Sequence, residues 1–270
     1  MNKLRYFSPV RFCYGLIIIG SALIKTLLAK AVYPKSRKYI ESLSKNGFLF
    51  EPDKEKSKNL ENINTINKSF ENTNQLKSVV NGAFVAWTKK SSTHYLIPDT
   101  KSKRALVDIF QNSDILPRLS AHHGFQFYCK SANVFKTEAS EASGTTSTYF
   151  HRDGHPPYTY KLMIYLTQVE EDSGAFSYVP GSVNKLIVPT FGSYSYARPF
   201  AAKNYGKHSL CGDVGTKILF NNNGLHAGGR TKKGERIVVT YILHPRFLHK
   251  HDNSIINIDW SVGGREYSII

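Results

Sequence analysis

A short segment from Thr148 to Gly154 holds two potential metal ligands, His151 and Asp153. In an extended strand, residues i and i+2 point to the same side, so these two side chains face one point. A neutral imidazole nitrogen and a carboxylate oxygen suit a divalent transition metal. A third candidate ligand, His226, stands beside glycines at a predicted strand end. Two histidines and one aspartate are the ligand set of non-haem Fe(II) oxygenases, which leaves positions open for a cosubstrate and O2.

The His-x-Asp spacing alone is a weak signal, because it arises often by chance and the chain holds ten histidines. Arg236 strengthens the interpretation, since it opens the apolar strand Ile237–Tyr241 that follows His226. An unpaired buried guanidinium is costly. A guanidinium that receives a carboxylate in a bidentate pair is stable. The distal carboxylate of 2-oxoglutarate fits this role, while the other end of the keto acid chelates iron.

Short apolar, aromatic and β-branched runs follow residue 78 and are separated by turn-forming residues. This pattern favours an antiparallel sandwich or barrel, and a jelly roll leaves a mouth that holds a metal and a small organic acid. Helices are predicted from near Ser36 to Gly47, and over Ser102–Gln111 continuing into Ile115–Ser120. Residues 51–77 are polar and asparagine-rich, which predicts an exposed loop or lightly anchored segment. The predicted strands are Val79–Thr88, Phe125–Thr137, Thr148–His151, Tyr160–Thr167, Ala175–Val179, Leu186–Val188, Thr216–Asn221 and Ile237–His244.

The predicted strand after the metal motif places Lys161, Met163 and Tyr165 on one face. If that face lines the cavity, Met163 and Tyr165 contact 2-oxoglutarate; ordinary barrel packing explains Met163 equally well. Gly228, just after His226, is predicted to let the cosubstrate approach closely. The remaining histidines and the basic residues near Arg236 are interpreted as loop, packing or solvated residues: His122, His123, His155, His244, His249, His251, Arg230, Lys232 and Lys233.

A series of sequence blocks runs from about residue 36 to residue 245: Ile40-Glu41-Ser42-Leu43 through Asn46-Gly47-Phe48, Phe150–Gly154, Lys161–Leu166, Glu170–Gly174, Tyr178–Ser182, Gly215-Thr216 before Phe220, Gly224–Gly228, and Arg236. Together these blocks are specific, although each alone is not. In this order they resemble the phytanoyl-CoA dioxygenase family of Fe(II)/2-oxoglutarate-dependent oxygenases. The chain departs from the family at Val183-Asn184, where a histidine often follows Pro-Gly-Ser, and a different substrate is therefore expected.

The resemblance implies a mainly β fold with flanking helices around a double-stranded β-helix, the cupin-like jelly roll. It implies Fe(II) bound by His151, Asp153 and His226, with 2-oxoglutarate held by Arg236. Relatives that halogenate usually replace the carboxylate with a small residue, so Asp153 favours hydroxylation or a related oxidation. The implied chemistry consumes O2 and decarboxylates 2-oxoglutarate oxidatively to succinate and CO2.

The net charge of +16 is concentrated at the amino terminus. Residues 1–50 carry nine basic side chains and one acidic one, whereas residues 111–170 are neutral. A basic front end joined to a neutral middle is typical of a tethered enzyme. No recognition helix, RNP-type aromatic motif or zinc module occurs, so no nucleic-acid partner is predicted.

Three interpretations fit the apolar run Cys13–Ile24, which is shorter than the roughly twenty residues that span a bilayer. The first is a signal peptide with Ala29-Lys30-Ala31 as cleavage site. The second is a membrane-surface or anchoring helix with cationic flanks. The third is a helix packed on the protein body. The predicted organisation is a hydrophobic basic segment at 1–35, with membrane contact assigned to residues 1–33. A dioxygenase domain follows at 36–250, and a carboxy-terminal extension at 251–270.

Three widely spaced cysteines form no disulfide framework, which favours a reducing, cytoplasmic compartment. The preferred function is a hydroxylase acting on a small-molecule or lipid-like substrate, and basic groups near the mouth suit an anionic one. The alternative is a non-catalytic or differently metallated cupin-like binding protein. Acyl thioesters, fatty acids, amino acids and other small metabolites all fit, and no pattern encodes the oligomeric state.

Overall fold

The computed structural model describes residues 37–52, 59–80, 83–86, 88, 91–139, 150–153, 158–184, 195–196, 208–245 and 259–260. Within these ranges the protein consists of two β-sheets, with helices packed against the larger sheet. The prediction of a mainly β architecture with flanking helices is confirmed. The helices are α1 (Arg37–Asn46), α2 (Leu60–Ser69), α3 (Thr100–Gln111) and α4 (Ile115–His123).

The larger sheet contains the described strands β1 (Phe48–Glu51), β2 (Leu76–Val80), β3 (Ala83–Ala86), β4 (Thr93–Leu96), β5 (Phe127–Glu138), β7 (Tyr160–Tyr165), β11 (Lys217–Asn221), β13 (Glu235–Pro245) and β14 (Asp259–Trp260). Its order is β1-β11-β7-β13-β5-β4-β2-β3, with β14 parallel to β5. The smaller sheet contains β6 (Phe150–His151), β8 (Phe176–Tyr178), β9 (Ser195–Tyr196), β10 (His208–Leu210) and β12 (His226–Ala227). Its order is β10-β8-β12-β6-β9.

The chain passes repeatedly between the two sheets. Strands β5, β7, β11 and β13 lie together in the larger sheet, and β6, β8, β10 and β12 lie together in the smaller one. Consecutive strands that alternate between facing antiparallel sheets form a jelly roll. The predicted double-stranded β-helix core is therefore confirmed.

Strand β7 shows how the two faces of the larger sheet are divided. Leu162 and Ile164 pack in an outer hydrophobic cluster that includes residues of α2, α3 and α4. Met163 and Tyr165 pack in an inner cluster with Phe176 of the smaller sheet. Because side chains alternate along a strand, odd-numbered residues of β7 face the interior of the jelly roll.

The predicted single strand Val79–Thr88 is wrong, because the region forms two antiparallel strands. Val80 of β2 pairs with Ala83 of β3, so the chain reverses between them. The dipeptide Asn81-Gly82 is the strongest short-range hairpin signal in a sequence. The apolar residues on both sides of this dipeptide led to the prediction of a single strand.

The prediction that residues 51–77 form an exposed or lightly anchored loop is also wrong. Helix α2 lies in this range and buries Ile63 and Ile66 in the outer cluster. The Asn67 amide nitrogen donates to the carbonyl oxygen of Leu166 at 2.9 Å, which joins the helix to the sheet. A few apolar residues at helical spacing stabilise this helix through tertiary packing, although most of its sequence is polar.

Two predicted helices occur with changed bounds. The helix predicted over Ser102–Gln111 and onward is two helices, α3 and α4, with Asp114 between them at a positive φ of 54°. Helix α1 ends before Gly47 as predicted, and Gly47 has φ of +81°. A Cβ atom at Gly47 would lie 2.6 Å from the hydroxyl of Tyr178, so only glycine fits there without rearrangement.

Several predictions lie outside the described residues: the strand Leu186–Val188, His155, His249, His251 and the segment 1–35. No helix in the described part of the chain is both long enough and apolar enough to cross a membrane. Membrane contact through residues 1–33 therefore stays a prediction.

Candidate metal and cosubstrate site

The smaller sheet brings two of the predicted ligands together. His151 at the end of β6 pairs with His226 at the start of β12, and their ring centroids are 4.6 Å apart. Asp153 follows β6 and completes a cluster with ligand atoms within 4.8 Å of one another. The structure thus gathers the three residues that sequence reasoning selected, although His226 is far from the other two in the chain.

The aspartate carboxylate lies between the two imidazoles. Asp153 Oδ1 is 3.4 Å from His151 Nε2, and Asp153 Oδ2 is 3.3 Å from His226 Nε2. The His226 side chain is buried, and its Nδ1 lies 3.0 Å from the carbonyl oxygen of Gly224. Since a carbonyl oxygen only accepts, Nδ1 carries the proton, and Nε2 presents its lone pair to the cluster. Burial lowers the pKa of His226, although Asp153 opposes this, and the neutral form suits metal binding.

Lys161, which sequence reasoning placed on the correct face but gave no role, contacts the cluster directly. Its Nζ donates to Asp153 Oδ2 at 2.6 Å. Burial alone would raise the pKa of Asp153, but the charge of Lys161 and a hydrogen bond from His151 hold it well below its usual value. The carboxylate is therefore ionised. The period-two spacing from Met163 and Tyr165 was the sequence signal that singled out this lysine.

Replacing Lys161 with methionine is expected to raise the pKa of Asp153, because the nearest positive charge is removed. A carboxyl 13C NMR titration of the metal-free protein measures this directly. Lys161→Arg keeps the charge and should leave the pKa of Asp153 low. An unchanged pKa in the methionine variant would show that Lys161 does not maintain the ionised carboxylate.

Arg236 is the first inward-facing residue of β13, and its side chain is 5% exposed. Its Nη1 donates to the carbonyl oxygen of Gly174, and its guanidinium carbon lies 6.0 Å from the ring centroid of Phe135. Its Nε is buried with no hydrogen-bond partner among the residues that the structure describes, and burial lowers the pKa of this guanidinium. No carboxylate among the described residues pairs with Arg236. A buried cation with an unused donor fits a carboxylate-bearing small molecule.

The polar side chains between Arg236 and the cluster are of two kinds: those that hydrogen-bond within the fold and those that could bind a ligand. Tyr165 OH donates to the Leu210 carbonyl oxygen at 2.7 Å and accepts from Phe176 N at 3.1 Å, so its hydroxyl joins the two sheets. Burial raises its pKa to about 12. Met163 is buried in the inner cluster opposite Thr240 of β13, whose Oγ1 has no hydrogen-bond partner within the described ranges. Thr240, which sequence reasoning missed, is therefore a candidate contact for a polar ligand.

Close backbone approach occurs at Gly229. A Cβ atom on Gly229 would collide with the backbone of Gly174 and Ala175. Gly174 supplies the carbonyl oxygen that Arg236 contacts, so Gly229 allows the packing that positions the guanidinium. Gly228, which was predicted to let the cosubstrate approach closely, lies beside Gly229 and is partly exposed; its role stays a prediction.

The Pro-Gly-Ser block supports the turn before His226. Ser182 Oγ accepts from Leu225 N at 2.8 Å, and the Ser182 carbonyl oxygen accepts from Arg152 at 2.6 Å. Asn184, at the departure from the family pattern, donates to the carbonyl oxygen of Ser44 in α1 at 2.8 Å. These contacts connect the block to both ligand strands and to the first helix.

The other described histidines lie away from the cluster. His123 Nε2 lies 2.8 Å from Tyr160 OH and packs among aromatic rings, while His122 and His244 are buried. Lys232 is exposed and lies 3.2 Å from Asp172. These positions agree with the packing and surface roles expected for them.

Comparison with known proteins gives a fold but no family. No family model matches the chain, and no curated protein matches it. The epimerase SnoN, solved with Fe3+, alpha ketoglutarate and nogalamycin RO, is 12% identical over 78% of this chain and 83% of its own, with a TM-score of 0.59. EctD from S. alaskensis with bound Fe is 13% identical over 77% and 75%, with a TM-score of 0.58.

A third solved structure, HygX from Streptomyces hygroscopicus with nickel, 2-oxoglutarate and hygromycin B bound, is 15% identical over 78% of this chain and 88% of its own, with a TM-score of 0.52. At such identities the likeness shows a common fold. The fold recurs in proteins crystallised with a metal and 2-oxoglutarate.

Proposed function

We propose that the protein is an Fe(II)- and 2-oxoglutarate-dependent oxygenase that hydroxylates a small molecule. The observation that carries the proposal is the combination of two sites on one jelly roll. The His151–Asp153–His226 cluster has metal-ligand geometry, and Arg236 is a buried guanidinium with an unused donor. A molecule such as 2-oxoglutarate, which chelates a metal at one end and carries a carboxylate at the other, requires both a set of metal ligands and a cation.

Each residue has a defined part in this function. His151, Asp153 and His226 would hold Fe(II), which supplies the redox chemistry that couples O2 to decarboxylation of 2-oxoglutarate to succinate and CO2. Arg236 binds the distal carboxylate, and Met163 and Thr240 lie on the strands between the two ends. The apolar inner cluster excludes water from this region and strengthens the ion pair.

Hydroxylation is the preferred outcome because the carboxylate ligand, Asp153, is present. The fold alone does not select an outcome, since one solved structure with it is an epimerase. Assignment to the phytanoyl-CoA dioxygenase family is likewise a proposal. It is supported by the order of the sequence blocks and by the contacts of the Pro-Gly-Ser block with both ligand strands.

The deciding experiment measures succinate formed from 2-oxoglutarate by the full chain with Fe(II) under air. We expect wild-type turnover, including slow uncoupled turnover without a primary substrate, and loss of succinate with His151→Ala. The variant His123→Ala, at a histidine outside the cluster, serves as the matched control and should retain turnover. Tight binding of another metal without 2-oxoglutarate binding would instead support a cupin-like binding protein.

A further inference from the structure

The interior of the jelly roll contains two buried polar side chains next to the metal cluster that the proposed chemistry does not use. Thr159 precedes β7 and Asn222 follows β11, and the backbone N of Asn222 donates to the carbonyl oxygen of Thr159 at 3.2 Å. The carbonyl oxygen of Asn222 in turn accepts from Asp153 N at 3.3 Å. Both residues therefore lie where the ligand-bearing segment meets the larger sheet.

The alternation of the paired strands directs these two side chains inward. Lys161 pairs with Phe220 in the ladder, and both face the interior, since Lys161 contacts Asp153 and Phe220 packs 5.1 Å from the His226 ring. Thr159 and Asn222 lie just beyond the ends of these strands, two residues from this pair, and their backbone hydrogen bond extends the same register by one pair. Continued over that pair, the alternation directs both side chains toward the inner face, beside the cluster.

Neither side chain has a hydrogen-bond partner in the described part of the chain. Thr159 and Asn222 are both 0% exposed, and Thr159 Oγ1, Asn222 Oδ1 and Asn222 Nδ2 lack partners among the described residues. Two other side chains of the same turn have partners, although Asn223 Nδ2 is also buried without one among the described residues. Asn221 Oδ1 accepts from Asn223 N at 2.9 Å, and His226 Nδ1 donates to the Gly224 carbonyl oxygen.

We propose that Thr159 and Asn222 form a substrate-recognition subsite for an uncharged group that both donates and accepts hydrogen bonds, such as a carboxamide or adjacent hydroxyls. Buried polar groups without partners destabilise a fold, so their presence beside a reaction centre indicates a ligand that satisfies them. An amide and a hydroxyl each offer a donor and an acceptor. The nearby Lys161 ammonium is already paired with Asp153, so the subsite itself is neutral.

This inference rests on the proposed function, and it selects polar substrates over hydrocarbon chains. The first test uses Thr159→Val and Asn222→Leu in the full chain. If the side chains serve a ligand, the unfolding temperature should stay the same or rise by about 2–4 °C, because an unsatisfied polar group is removed. Asn221→Leu is the matched control and should lower the unfolding temperature, since that side chain has a partner. A marked loss of stability in both subsite variants would overturn the proposal.

The second test measures ligand-induced thermal shifts of the protein loaded with Ni(II) and 2-oxoglutarate. The probes are myo-inositol, N-acetylglucosamine and octanoate, each at about 10 mM, well above a weak millimolar Kd. We expect at least one of the first two to stabilise the wild type, and this shift to vanish in Asn222→Leu. Stabilisation by octanoate alone, absence of any shift with the polar probes, or a polar shift that survives in Asn222→Leu would overturn the proposal.

Binding of Ni(II) and 2-oxoglutarate, measured by calorimetry in the same variants, separates this inference from the proposed function. If the wild type and Asn222→Leu both bind them, the variants keep the reaction centre, and the probe results decide the subsite. If the wild type binds neither, the proposed function fails, and the shifts with polar probes on the metal-free chain still decide whether the subsite exists.

Discussion

Replacing Arg236 with methionine is expected to raise the KM for 2-oxoglutarate by roughly 30- to 5,000-fold. Truncating one partner of a buried, hydrogen-bonded charge pair costs about 2–5 kcal/mol, because the remaining charge loses its counter-charge. In this protein the remaining charge would be the distal carboxylate, next to a position where the Arg236 side chain is 5% exposed. Calorimetric titration of the Ni(II)-loaded protein with 2-oxoglutarate gives the affinity directly.

The matched variant Arg236→Lys keeps a positive charge but loses the planar fork. We expect an intermediate affinity for 2-oxoglutarate, because an ammonium does not reproduce a bidentate pair. Affinity for Ni(II) alone should be unchanged in both variants, since Arg236 does not belong to the metal cluster. Wild-type affinity for 2-oxoglutarate in the methionine variant would exclude Arg236 as the carboxylate receptor.

The second large effect is expected for Asp153→Ala, which removes the only carboxylate from the described cluster. Even residues that merely support metal ligands cost about 10–100-fold in affinity when lost, so removal of a ligand should cost at least a hundredfold. Succinate formation should fall with it. Isothermal titration with Ni(II) and the 2-oxoglutarate turnover assay measure the two effects.

A double variant distinguishes lost metal binding from lost folding. Asp153→Ala leaves the Lys161 ammonium without its partner at 2.6 Å, and this should lower the unfolding temperature. Asp153→Ala combined with Lys161→Met removes both charges and should recover much of that stability. It should not recover metal binding. A stable double variant with wild-type affinity for Ni(II) would remove Asp153 from the ligand set.

The layout of the two sites explains how one fold brings together distant parts of the chain. The histidines come from the smaller sheet, whereas Lys161 and Arg236 come from the larger sheet. The cluster and its lysine therefore join the two sheets of the jelly roll. Asp153 contacts both, through His226 on one side and Lys161 on the other.

The amino-acid sequence by itself determined those features that depend on local geometry. The His-x-Asp spacing predicted that His151 and Asp153 face one point, as they do in the cluster, and Gly47 ended the first helix. The alternation of β7 likewise placed Lys161, Met163 and Tyr165 together. Strand periodicity and helix capping are set by neighbouring residues, so these features were readable before any contact was known.

Only the tertiary structure decided which distant groups meet. Pairing of β6 with β12 brought His226 next to His151. Packing against the sheet stabilised α2 in a polar segment, and the contact with Asp153 gave Lys161 its role. The missing partners of Arg236 and Asn222 also emerged only from the fold. Each of these depends on long-range pairing of strands and on burial, which no local pattern in the sequence specifies.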